Sequence, residues 1–90
     1  MSVENDKMKA AIEYERKEME WVNEIFRDEM ERIRIYGCGD RRNIRMDVFR
    51  KVERRALLDG RKDKVRVFGE LRTVEEITDV ITDNIIKEIE

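Results

Sequence analysis

Between residues 3 and 33 the chain contains neither glycine nor proline, and the residue types there favour helix, with Ser2 or Asn5 available as N-cap. That stretch predicts one long N-terminal helix. At 100° per residue, Met8, Ile12, Met19, Val22, Phe26, Met30 and Ile33 fall within a wedge of about 60°. Tyr14, Trp21 and Ile25 form a second, shorter seam to one side of it. Two apolar seams on one helix imply two neighbours. Thirty helical residues extend roughly 45 Å, whereas a compact chain of this length is about 30 Å across. The helix is therefore expected to overhang a compact monomer and to take part in a homo-oligomer.

The chain has 90 residues, enough for a single small domain over residues 1–90 and not for a large core. Ile, Leu, Val and Phe account for 24 of them, so the chain is expected to fold although 47% of its residues are charged. The single cysteine, Cys38, cannot close an internal disulfide. No apolar run approaches the roughly 18 residues of a membrane span, and the N-terminus lacks a signal-peptide pattern. A cytoplasmic protein without membrane association is expected. Glutamine and histidine are both absent and Glu, Arg, Lys, Ile and Val abound, a bias reported for proteins of thermophiles, although the lack of proline does not fit it.

Two look-alike segments, Arg-Ile-Arg-Ile-Tyr-Gly at 32–37 and Lys-Val-Arg-Val-Phe-Gly at 64–69, alternate charge with β-branched residues. They favour a minor two-stranded β ribbon built from Ile33 to Tyr36 and Val65 to Phe68. The alternative is that residues 33–36 are only the last turn of the first helix. Asp40 or Asn43 can cap a second helix that runs to about Leu58 and stops at Gly60, with Ile44, Val48, Phe49, Val52 and Ala56 as its apolar stripe. Thr73 and Glu76 form a capping box that opens a third helix, with Val74, Ile77, Ile81, Ile85 and Ile89 on its buried face and Glu76, Asp79, Asp83 and Glu90 as an acidic ridge. The fold class is thus mainly α: a long N-terminal helix with two shorter helices packed on it.

Charge is sorted into blocks. Residues 41–67 hold eleven basic and four acidic side chains, residues 1–30 five basic and nine acidic, and residues 68–90 two basic and seven acidic. In the second helix Arg50, Lys51 and Arg54 point away from the apolar stripe and could follow a phosphate backbone. Arg41, Arg45 and Arg55 fall on or beside the stripe, where an unpaired guanidinium is costly, so they call for carboxylates from the acidic ridges. The net charge of −2 and the pI near 5.4 suit self-neutralisation better than a coat for DNA.

Catalytic chemistry finds little here. Without histidine the commonest general base and metal ligand is missing, and the carboxylates show neither transition-metal nor EF-hand spacing. No enzyme activity, metal or cofactor is expected. Gly37, Cys38, Gly39 and Asp40 precede a helix start, where backbone amides can hold a phosphate, with Arg41 and Arg42 beside them. A lone Gly-x-Gly is a weak signal, and Asp40 would repel an anion, so a tight turn is the plainer reading. Cys38 has no histidine to activate it.

The functional expectation is a non-enzymatic binding or regulatory protein that acts through protein–protein contacts as a homo-oligomer. Tyr14, Trp21 and Ile25 are the candidate interface, because aromatic residues concentrate at the energetic centres of interfaces. Burial of both seams within one subunit would remove that surface. The alternative function is binding of nucleic acid, or of a small phosphate ligand, by Arg41, Arg42, Arg50, Lys51 and Arg54.

Overall fold

The computed structural model describes the backbone of residues 3–37 and 39–90, and side chains from residue 19 onward apart from Cys38. In chain order the elements are α1 (Val3–Tyr36), α2 (Arg41–Leu58), β1 (Lys64–Val67), β2 (Glu70–Thr73) and α3 (Val74–Ile89). The molecule measures 52 × 27 × 17 Å. Its long axis is α1, whose 34 residues at 1.5 Å each come to about 51 Å. The radius of gyration of 15.3 Å exceeds the roughly 12 Å of a compact chain of this size.

Each boundary has a local cause. The Gly37 N–H donates to the Ile33 carbonyl at 2.8 Å, and Gly37 has φ +88°, so α1 closes its last turn and stops. Asp40 caps α2 by accepting from the Asn43 N–H at 2.9 Å. At the other end Gly60 takes φ +78°, its N–H donates to Leu57 and that of Arg61 to Ala56, the paired closure of a Schellman motif. Thr73 Oγ1 accepts from the Glu76 N–H at 3.1 Å and starts α3.

The ribbon exists, but with other strands than the look-alike segments suggested. Residues 33–36 are the final turn of α1, and β1 pairs antiparallel with β2, Val65 opposite Arg72 and Val67 opposite Glu70. The reason is proximity. Phe68 and Gly69, both at positive φ (54° and 76°), turn the chain in two residues, so a neighbouring strand pairs before a distant one can. In residues 33–36 only Ile33 is buried, as one point of the α1 seam; Ile35 and Tyr36 face solvent.

The core lies where the three helices meet, under β1. Ile44, Val48, Val52 and Ala56 of α2 are fully buried, and Phe49 is half-buried beside them. From α3 come Val74, Ile77, Ile81 and Ile85, with Ile89 half-buried at the end. Thr78 and Thr82 share that buried face, and their hydroxyls donate to the carbonyls one turn back, Val74 and Thr78, at 2.6 and 2.7 Å. A buried hydroxyl satisfied in this way carries no desolvation penalty into the core. Among the described residues no helix is long and apolar enough to cross a membrane.

Candidate interaction face

Four residues separate the end of α1 from the start of α2, and α2 packs against α1. The face of α1 it covers carries Trp21, Ile25 and Glu29. Trp21 and Ile25 each retain 8% of their exposure, and the Arg55 guanidinium sits 5.7 Å from the Trp21 ring centre. Trp21 and Ile25, two of the three residues expected to meet a partner protein, are therefore closed inside the subunit. Tyr14, the third member of that seam, has its side chain outside the described residues.

Glu29 is the fully buried charged residue of this contact. Its carboxylate accepts from Lys51 Nζ at 2.8 Å and from Arg32 Nη2 at 3.0 Å. Asp47 stands 3.3 Å from Arg32 and 3.7 Å from Lys51, so two carboxyls and two cations form one cluster between α1 and α2. Burial, then the hydrogen bond with Asp47, pushes the Glu29 carboxyl above its ordinary value, while the same hydrogen bond holds Asp47 below its own. Glu29 was not singled out in the sequence analysis. Its spacing was the available signal, because residues 21, 25 and 29 follow one another at i, i+4 along the face that α2 covers.

Four of the eleven cations of the basic middle, Arg41, Arg45, Lys51 and Arg55, are paired with carboxylates within the fold. Arg41 pairs with Asp83 and Arg45 with Asp79 at 2.8 Å, a ladder in which α2 advances four residues as α3 retreats four. Those acids belong to the predicted ridge, and they face α2. Arg55 pairs with Asp59 at 3.3 Å. Of the five candidate phosphate ligands, Arg41 and Lys51 are thus held by carboxylates. Arg42, Arg50 and Arg54 are exposed and make no ion pair among the described residues. Arg54 lines an open groove of about 320 Å³ together with the cations Lys51 and Arg55 and the acids Glu24 and Asp28. At the start of α2 the Asp40 carboxylate occupies the Asn43 amide that a phosphate would need. Cys38 lies outside the described residues. Among the described residues no group of three or more acids, histidines or cysteines could hold a metal ion.

With Trp21 and Ile25 of the second seam covered by α2, the first is only partly used. Val22, Phe26, Met30 and Ile89 pack on the core but stay partly exposed. Phe26, Met30, Ile33 and Ile89 line an open groove of about 590 Å³ between α1 and the end of α3, with Arg27, Glu31 and Arg34 also in its walls. A smaller recess of about 260 Å³ adjoins it through Phe26, lined by Asn23, Asn84, Lys87 and Glu88. The two seams have exchanged the roles the sequence suggested for them. Among the described residues, Trp21 and Ile25 of the aromatic seam join the core, and Val22, Phe26 and Met30 of the aliphatic one keep an open side.

No protein-family model matches this chain, and no curated protein and no solved structure matches it either.

Proposed function

We propose that this chain is a non-enzymatic binding and regulatory protein that acts through protein–protein contacts, working as a homo-oligomer, with the groove between α1 and α3 as its contact surface. The observation that carries this reading is the apolar lining of that groove, Phe26, Met30, Ile33 and Ile89, with the charged side chains Arg27, Glu31 and Arg34 in its walls. Apolar surface rimmed by charged side chains marks an interaction site. An elongated chain of 90 residues buries a small share of its surface alone and gains stability by covering more.

Light scattering over a concentration series is the test. The mass should rise from that of one chain towards a multiple of it, and Met30→Glu should return it to one chain while circular dichroism stays helical. A mass of one chain at every concentration would sink the reading.

A second reading rests on Arg42, Arg50 and Arg54, the three candidate phosphate ligands that are exposed and make no ion pair among the described residues. It predicts salt-dependent retention of the protein on DNA or RNA that Arg50→Glu with Arg54→Glu abolishes. Failure of the wild type to be retained at low salt removes it.

A further inference from the structure

The groove proposed above as the contact surface holds information about its occupant. Arg27 and Glu31 lie on its wall, both exposed and neither in an ion pair among the described residues. They stand one helical turn apart with opposite sign. An edge of that kind is complementary to itself when turned end for end, since a two-fold axis crossing α1 level with residue 29 brings Arg27 of each copy opposite Glu31 of the other. The same axis leaves Met30, which is partly exposed, close to its own counterpart.

We infer that the groove lined by Phe26, Met30, Ile33 and Ile89 is covered by the same face of a second copy of this chain, with the two α1 helices antiparallel about a two-fold axis and reciprocal Arg27–Glu31 pairs, one on each side of that axis, along one flank of the apolar contact. The inference rests on the self-association reading and goes further in fixing direction and register. An isologous contact of this form closes on itself, so it ends at the dimer and does not propagate into a filament. The apolar residues supply most of the affinity. The charge pairs select the orientation.

Charge exchange across the axis tests it. In Arg27→Glu both copies present two acids to two acids, and in Glu31→Arg two bases to two bases, so each variant alone should dimerise roughly tenfold more weakly than wild type. An equimolar mixture of the two should recover wild-type affinity, because every acid then faces a base on the other chain. Sedimentation equilibrium on the full chain reads all four samples. Recovery on mixing cannot come from pairing within one helix, since neither variant chain has such a pair. If the wild type dimerises and the mixture is no tighter than the separate variants, the antiparallel register is wrong and self-association stands. If the wild type stays a single chain throughout, or is occupied only by a helix from another protein, both proposals are overturned.

Discussion

Lys51 Nζ lies 2.8 Å from Oε1 of Glu29, a carboxylate with no solvent exposure, and this contact joins α2 to α1 near the middle of their interface. Lys51 is itself one-third exposed, so water screens its side of the pair. The cost of removing it comes mainly from the acid left behind. Lys51→Met keeps the aliphatic stem and deletes the charge, and it should destabilise the fold by about 2 kcal/mol, the penalty for a buried polar group that loses a partner. Urea denaturation checks this. A loss under about 0.5 kcal/mol, the ordinary range for a surface change, would mean that Arg32 alone satisfies Glu29.

The same cluster should give the protein a measurable pH dependence. Glu29 holds its proton more tightly folded than unfolded, because burial raises it above its ordinary 4.5. Its contribution to stability is therefore complete below that value and is lost as pH rises through the raised folded value. Asp47 behaves in the opposite sense. Its folded value lies below the ordinary 3.8, so its contribution is present above 3.8 and goes as pH falls. Glu29→Gln removes the first effect and keeps a donor for Asp47. Its melting temperature relative to wild type should climb as pH is raised from 4.5 towards neutrality, then level off. Parallel curves over that interval would show that Glu29 pays nothing for ionising where it sits.

Thr73 ends β2 and caps α3 at once, its hydroxyl oxygen accepting from the Glu76 N–H. Thr73→Ala leaves that amide without its protein partner at the start of the helix that supplies much of the core. A loss of about 1 kcal/mol is expected, and in a domain this small that moves the melting temperature by roughly 4–8 °C. Calorimetry reads it directly, and an unchanged transition would show that water replaces the cap at no cost.

Phe68 occupies the first position of the two-residue turn between β1 and β2 with φ +54°, a conformation that bulky side chains avoid. It is 58% exposed, so packing returns little for that strain. Asn at the first position followed by Gly, here Gly69, is the favoured pair for such a turn. Phe68→Asn should raise stability by about 1 kcal/mol. A fall in melting temperature would mean that the Phe68 ring is held by contacts that compensate its backbone.

The helices could be read from the chain because their signals are local. Asp40, Gly60 and Thr73 act on amides and carbonyls within a turn of themselves, and the period of Ile44, Val48 and Val52 needs no knowledge of a partner. The arginines of α2 could also be assigned their carboxylates in kind, since a guanidinium beside an apolar stripe has few other options. What the one-dimensional pattern left open was which neighbour would claim each face. Residues 33–36 alternate like a strand and are helical, because a two-residue turn offered β1 a nearer partner. Trp21 and Ile25 resemble an interface, and Glu29 one acid among many, until α2 packs across all three.

Sequence by itself determined the three helices and the caps at Asp40, Gly60 and Thr73, because hydrogen bonds and caps are settled within a few residues of chain. Only the tertiary structure decided which apolar seam of α1 became core and which stayed open beside α3. That choice depends on the direction in which α2 returns, and burial follows the packing of whole faces, which no single stretch of chain contains.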